Sequence, residues 1–367
     1  MTVPVTFVSS HAKAGGAERY LVSLIEALGP GWVRAVVCLE DGPLVERLRT
    51  LGVEPSILPT GGGPRALVHA ARRLRAVLNE QRPAVVHANG IKAALVSSLA
   101  ATRSGLPIVW VKHDFTLDGP IVWGVAARAR EVVAVSHAVA ETFPQRLRRK
   151  VTVVNNGIKP LATDRGEGRR RLLEALGGSE TARVVILVGR LEPGKGQADL
   201  VAIAPELAAR APGTRVALVG GENARVPSYA AELRRDAGEA VSFLGHRDDA
   251  VELISGADVL VIPSVVGERG MGREGFPYVG LEGLAVGTPV VGYAHGGLPE
   301  LVGECGRLVP PGDRAALADA IVSLLEDEDE RARVARCGVE RLHAHFTLDR
   351  MVETMKERYT VAAKPAR

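Results

Sequence analysis

Short runs of β-branched and other apolar residues alternate along this chain with stretches whose apolar residues recur at helical spacing. Strands that are nearly continuously apolar, with helices between them, form parallel sheets covered on both faces. In the first half the predicted strands are Val3–Val8, Val33–Leu39, Glu54–Leu58, Ala84–His87, Ile108–Lys112, Glu131–Val135 and Val151–Val154. Ala17–Leu28, Pro64–Asn79 and Ile91–Thr102 read as helices between them. The segment Lys159–Gly168, with Pro160 and two glycines, reads as a join. The alternation then starts again, with strands expected at Arg183–Val188, Arg215–Val219, Val241–Phe243, Asp258–Ile262, Pro289–Gly292 and Arg307–Val309. Their helices are expected at Lys195–Ala209, Ser228–Ala237, Asp248–Ser255, Pro277–Ala285 and Ala315–Leu325, and Glu328–Ala344 and Leu348–Ala362 read as closing helices. The chain is therefore predicted to hold two doubly wound α/β domains. Such a pair is expected to leave a cleft facing the carboxyl ends of both sheets, where open α/β folds bind ligands.

A length of 367 residues fits two domains better than one. The balance of 46% hydrophobic and 24% charged residues is that of a soluble globular protein. The net charge of +4 is a mild excess, and its basic clusters (Arg72/Arg73/Arg75, Arg148/Arg149/Lys150, Arg169/Arg170/Arg171) are short and scattered. Solvated helix faces account for them, and no nucleic-acid partner is expected. Cys38, Cys305 and Cys337 form no close pair in sequence, hence no zinc spacing and no redox motif, and an odd, sparse set fits a reducing cytosol. The start of the chain lacks the pattern of a cleaved leader, and no run approaches the ~20 apolar residues that span a bilayer. A cytoplasmic protein is expected.

Four segments carry candidate chemistry. The first is Glu274-Gly-Phe-Pro-Tyr-Val-Gly-Leu-Glu282. Pro277, which has no N–H, suits the first turn of a helix, and the N–H groups of Phe276, Tyr278 and Val279 beside it make an anion site. Glu274 precedes those donors and Glu282 follows them one and a half turns on. Sugar hydroxyls, a diphosphate and a ribose diol would meet these groups in that order. The plain alternatives are an acid stabilising a helix start and an ordinary surface glutamate. The second segment, Gly189-Arg190-Leu-Glu-Pro-Gly-Lys195-Gly196, follows an apolar strand. Arg190 and Lys195 there would neutralise a leaving diphosphate; the glycine spacing is not that of a Walker loop. In the third, Gly15 and Gly16 open the first helix and let a phosphate or an acceptor approach the backbone. The fourth is His113, which ends the strand Ile108–Lys112 as a polar contact for a sugar. Gly270-Met-Gly272-Arg-Glu-Gly275 matches a dinucleotide fingerprint only in letters. It starts well after its strand, and no acid stands at the ribose-reading position.

The ordered set resembles the family 4 retaining glycosyltransferases of GT-B fold, over almost the whole chain. The most specific part is the Glu274–Glu282 element with Gly287-Thr-Pro-Val-Val291 and His295-Gly-Gly-Leu-Pro-Glu300-Leu-Val302 after it. Gly15-Gly16, Asn155-Asn156-Gly157-Ile158 and Gly189-Arg190 with Lys195 fit in order and spacing. The resemblance implies two Rossmann-like domains, 1–160 on the acceptor side and 161–345 on the nucleotide-sugar side, with a C-terminal helix in 346–367 packing back on the first. It implies that Arg190 and Lys195 hold the diphosphate, Glu274 takes sugar hydroxyls, Glu282 the ribose diol, and Arg247 stands near the base. His113 would stand beside the sugar and Gly16 near the phosphate. It further implies retention without a protein nucleophile, and no metal cofactor. The expected partners are a UDP- or GDP-sugar donor carrying a hexose-type sugar and a soluble small-molecule acceptor. Membrane contact with a lipid or polysaccharide acceptor is less favoured, because aromatic content is 4% and Pro144 interrupts the one basic helix that would serve. A sugar-nucleotide epimerase, a phosphorylase or a non-catalytic nucleotide-sugar binder on the same fold are the competing readings.

Overall fold

The computed structural model describes residues 2–61, 63–102, 104–116, 119–267 and 272–365. The chain divides into two units, Met1–Ile158 with Leu348–Arg367, and Lys159–Thr347.

The first unit holds β1 (Val5–Ser9), β2 (Val33–Cys38), β3 (Ser56–Ile57), β4 (Val85–Asn89), β5 (Ile108–Lys112), β6 (Glu131–Ala134) and β7 (Val151–Val153). They form one parallel sheet in the order β3-β2-β1-β4-β5-β6-β7. The strands β1, β4 and β5 are buried along their whole length, the reason their sequences are almost continuously apolar. Alternation across the pleat divides each strand between two layers. Val8, Val86, Ala88 and Trp110 face a core supplied by the helices Pro64–Gln81, Ile91–Ala100 and Pro120–Arg128. On the opposite face Phe7 and His87 meet Tyr20 of the helix Gly16–Leu28 and Tyr359 of the helix Leu348–Ala363. The Tyr359 hydroxyl lies 2.7 Å from His87 Nδ1. The predicted strand Glu54–Leu58 shrinks to the two residues of β3. Pro55 lacks the N–H a ladder needs, which confines such a segment to a sheet edge.

The second unit holds β8 (Arg183–Val188), β9 (Thr214–Val219), β10 (Val241–Gly245), β11 (Val259–Ile262), β12 (Val290–Tyr293) and β13 (Gly306–Val309), ordered β10-β9-β8-β11-β12-β13 and again parallel. The helices Gln197–Arg210 and Arg314–Glu326 cover one face. The expected join is partly helical: Asp164 caps the helix Arg165–Leu176, its carboxylate accepting from Glu167 N at 3.0 Å. Two predicted helix starts also move. Gly196 sits in the left-handed region (φ 71°), so the helix after β8 begins at Gln197, preceded by a 3₁₀ turn at Pro193–Lys195. Pro277 is the extended cap of the helix Tyr278–Ala285 and not a member of its first turn.

In each sheet the strand order reverses once, between β1 and β4 and between β8 and β11. The carboxyl ends at such a reversal are where doubly wound sheets bind ligands. Gly15-Gly16 and Asn89 lie just past or at the ends of β1 and β4, with His113 beyond β5. Lys195 and Ser264 follow β8 and β11.

The cysteine expectation is corrected by the structure. Cys305, in the turn after the helix Leu298–Val302, and Cys337, on the helix Glu328–His345, form a disulfide. Their separation of 32 residues matches no local motif, and tertiary packing alone brings them together. The pairing removes cysteine usage as support for a reducing compartment. Cys38 is a buried free thiol, pushed up to about 12 by burial and by the charges of Asp41, Glu18 and Glu40. Among the described residues no helix is long and apolar enough to cross a membrane.

Candidate active site

In the second unit the loop after β8 and the loop after β11 are pressed together by glycines. A Cβ on Gly196 would fall 1.7 Å from the Pro263 carbonyl oxygen, and one on Gly194 would fall 2.8 Å from the Gly272 Cα. Val265 N donates to Gly194 O at 3.1 Å. This packing brings Lys195 to Glu274, 79 residues away in sequence: Lys195 Nζ donates to Glu274 Oε1 at 2.6 Å. Ser264 Oγ donates to the same oxygen at 3.1 Å. No described residue bonds Glu274 Oε2. The Glu274 charge, opposed by burial, raises the Lys195 amine above its ordinary range, so the amine is charged at neutral pH.

The backbone of Glu274 is held as firmly as its side chain. Gly297 N donates to its carbonyl at 2.8 Å, and Gly296 (φ 61°) packs so close that a Cβ would lie 2.3 Å from that oxygen. His295 Nε2 bonds the Ser264 carbonyl. The segment His295-Gly296-Gly297 thus clamps the backbone of both Glu274 and Ser264.

Glu282 lies on the helix Tyr278–Ala285 and is 7% exposed, which rejects the reading of an ordinary surface glutamate. Gly280 and Gly283 flank it and let the helix settle on its neighbours. A Cβ at 280 would fall 2.6 Å from Leu301 Cδ2, and one at 283 would fall 2.6 Å from Leu260 Cδ2. Phe276 is a packing residue, edge-on to Phe346 at 5.2 Å, and Tyr278 is also buried. The ring under Phe276 is fixed in turn by Arg341, whose guanidinium lies 5.5 Å from the Phe346 centroid and donates to the carbonyls of Leu301 and Glu300. Pro277 is buried and Val279 partly so.

The structure does not bring Arg190 and Lys195 together as one cationic pair. The Arg190 side chain is 62% exposed and lies 3.6 Å from Glu192, which also accepts from Asn223 Nδ2 at 2.8 Å. Arg247 is held by both oxygens of Asp249, at 2.8 and 2.7 Å. It lines an open cavity of about 430 Å³ with Arg170, Arg171, Glu174 and Ala175. Of the segment Gly267–Gly272, residues 268–271 lie outside the described residues, including Gly270 of the dinucleotide-like string.

In the first unit, Gly15 caps the helix Gly16–Leu28. A Cβ there would lie 2.6 Å from Glu18 Oε2, so a side chain at 15 would displace the end of that buried carboxylate. Burial raises the Glu18 carboxyl above the usual range. His113, just past β5, lies with Nε2 2.6 Å from Asn89 Oδ1, and Asn89 Nδ2 donates to Ala17 O at 3.0 Å. The Tyr20 ring stands edge-on at 4.9 Å. Burial pulls His113 down to about 4 against the opposing charge of Asp114, so the ring is neutral at pH 7. The acceptor-reading loops expected at Thr60–Gly63 and Phe115–Gly119 include residues 62, 117 and 118, which lie outside the described residues.

Sequence reasoning missed Ser264, Asn89, Glu18 and the clamping role of His295. Asn89 and Ser264 had one legible mark: each is a polar residue at or just past the carboxyl end of a largely apolar central strand.

The profile of Glycosyltransferase Family 4 matches residues 14–160, and that of Glycosyl transferases group 1 matches residues 182–327. The glycogen synthase of Mycobacterium tuberculosis is 30% identical over 331 residues, covering 88% of this chain and 73% of the relative. A GDP-mannose-dependent monoacylated alpha-(1-6)-phosphatidylinositol monomannoside mannosyltransferase of Corynebacterium glutamicum is 32% identical over 197 residues, 53% of this chain and 50% of the relative. The chain thus matches half the length of that mannosyltransferase. Among solved structures, Anabaena HepE in complex with UDP superposes with a TM-score of 0.86 at 24% identity, covering 98% of this chain and 100% of that one.

Proposed function

The chain belongs to the family 4 glycosyltransferases of GT-B type, and from that premise we propose that it transfers a hexose-type sugar, with retention, from a UDP- or GDP-sugar to a soluble small-molecule acceptor. The observation that carries this reading is the cluster at the carboxyl ends of β8 and β11. Lys195 and Ser264 saturate one oxygen of Glu274, and Glu282 stands buried on the next helix. In this scheme Glu274 Oε2 accepts from hydroxyls of the donor sugar, and backbone N–H groups of Phe276, Tyr278 and Val279 meet the phosphates. Glu282 takes the ribose diol and Arg247 stands toward the base.

Lys195 stabilises the charge that builds on the leaving diphosphate, assisted by Arg190 once it swings from Glu192. One such preorganised donor contributes ~3–4 kcal/mol to a transition state of this kind. The acceptor hydroxyl attacks the anomeric carbon on the face the diphosphate leaves, and the departing phosphate oxygen takes its proton. Glu274 is bonded by Lys195 and Ser264 and acts as a binding group, not a nucleophile. Gly15 and Gly16 serve the phosphate and acceptor side, and His113 a hydroxyl of the sugar. Protein cations carry the neutralising role, so no metal is required.

The test is a thermal-shift panel of UDP- and GDP-sugars followed by transfer assays with and without EDTA. A donor at ~100 times its Kd stabilises by about 2.7 kcal/mol. Stabilisation by a donor and product formation that survives EDTA are expected. No shift with any nucleotide sugar, interconversion of the donor without transfer, or loss of transfer in EDTA would contradict the scheme. A lipid acceptor is the second reading, favoured by the likeness to the phosphatidylinositol mannoside mannosyltransferase. Transfer to vesicle-borne phosphatidylinositol glycosides but to no soluble alcohol would establish it.

A further inference from the structure

We propose that Asn89 is a positioning residue that selects the tautomer of His113 with its proton on Nε2, so that Nδ1 is presented as an acceptor to a hydroxyl of the transferred sugar. The proposal rests on the reading of His113 as a sugar contact.

The assignment follows from what each atom is able to do. The Ala17 carbonyl only accepts, so the end of the Asn89 side chain 3.0 Å away is its amide nitrogen. That orientation turns Asn89 Oδ1 toward His113, 2.6 Å from Nε2. An amide oxygen also only accepts, so Nε2 carries the hydrogen. In a neutral imidazole the other nitrogen, Nδ1, is then a lone-pair acceptor. No described residue bonds Nδ1. A backbone carbonyl thus dictates the amide, and the amide dictates the imidazole.

Asn89 is well placed to impose this. It is 2% exposed and is the last residue of β4, in register with Ser9 of β1 and Val111 of β5, so its backbone is paired on both sides. The edge-on Tyr20 ring limits rotation of His113 about its own axis. Ala17 lies in the first turn of the helix opened by Gly15-Gly16, so one amide ties the histidine to the turn assigned to the phosphate and acceptor side. The consequence is directional: a hydroxyl meeting His113 must donate to it and keeps its own oxygen free to accept elsewhere.

The experiment uses the full chain with ¹⁵N-labelled histidine at neutral pH, without ligand, with His113 assigned by its disappearance in His113→Leu. Wild type is expected to show a protonated, pyrrole-like Nε2 and a pyridine-like Nδ1. In Asn89→Leu, of similar volume but unable to accept, both shifts are expected to move toward the tautomer average. kcat/KM for transfer is expected to fall about tenfold, the loss of one oriented hydrogen bond. A pyrrole-like Nδ1 in wild type overturns the proposal, even where Asn89→Leu does not fold. Unchanged shifts or an unchanged transfer rate in a folded Asn89→Leu also overturn it. A wild-type rate in His113→Leu overturns the sugar contact itself, and with it the role of Nδ1, while leaving the tautomer result standing as a separate finding.

Discussion

Replacing Lys195 by methionine keeps the stem and removes the charge, and its consequences for stability and for chemistry separate cleanly. The Lys195–Glu274 pair is short, at 2.6 Å, with side chains 30% and 18% exposed. It falls between exposed ion pairs, worth ~0–1 kcal/mol, and buried ones, whose disruption costs ~3–5 kcal/mol. Ser264 continues to donate to Glu274 Oε1, so the carboxylate is not orphaned. A stability loss of about 1–2 kcal/mol is expected, a shift of roughly 2–8 °C in the melting of a unit of this size. The transfer rate should fall much further, by ~10²–10³-fold, because the ammonium acts where charge develops. The pH dependence has a definite sign. The folded-state value of Lys195 is raised, so the pair's contribution is complete below the unfolded value of ~10.4 and is lost as pH rises through the folded value. Thermal unfolding of wild type and Lys195→Met from pH 7 to 11, with initial rates for a donor identified by thermal shift, measures both effects. A variant that transfers within about threefold of the wild-type rate refutes the role of Lys195. A stability difference that grows at alkaline pH refutes the assigned direction of its shift.

Three further outcomes are expected. Gly280→Ala gains ~1 kcal/mol of helix propensity but drives a methyl against Leu301 and Ile262, an overpacking cost of ~1–3 kcal/mol. A net loss of up to about 2 kcal/mol with a raised donor KM is expected, and an unchanged KM would show that the helix seat does not set Glu282. His87 and His113 are drawn down to about 3 and about 4 by burial, so both bind protons only in the unfolded chain between those values and ~6.5. Stability of the first unit should therefore fall as pH drops below about 6.5, with a slope approaching two protons, and urea titrations that agree at pH 7 and pH 5 would exclude it. Opening the Cys305–Cys337 link, which closes a loop of 32 residues, should cost the second unit ~3–4 kcal/mol by chain entropy. Melting with and without dithiothreitol, alongside Cys337→Ser, reads this directly, and coincident curves for oxidised and reduced protein would refute it.

The architecture was legible because central strands of a doubly wound sheet must be apolar on both faces. Ala84–His87 and Arg183–Val188 could be little else. The sequence also marked the segments that carry the candidate site, since glycines, cations and acids past strand ends are local features. What it did not carry was partnership. Lys195 meets Glu274 through glycines whose missing side chains leave no positive trace, and Arg190, five residues away, turns instead to Glu192. Asn89 and Ser264 bond through the polar ends of common residue types, whose meaning depends on what the fold sets beside them. The disulfide was missed for the same reason: its two halves answer to no spacing rule.

The helix Leu348–Ala363 belongs to the first unit, where Tyr359 reaches His87 and packs against Phe7. The ribosome makes that helix only after every residue of the second unit has been added to the chain. The second unit is continuous in sequence and has its full set of strands before synthesis ends, whereas the first must wait with an uncovered patch around Phe7, Tyr20 and His87. During translation that patch is a natural landing place for a holdase chaperone. A stop codon before Leu348 would leave it open permanently, giving a chain with an intact second unit that is prone to aggregate through its first.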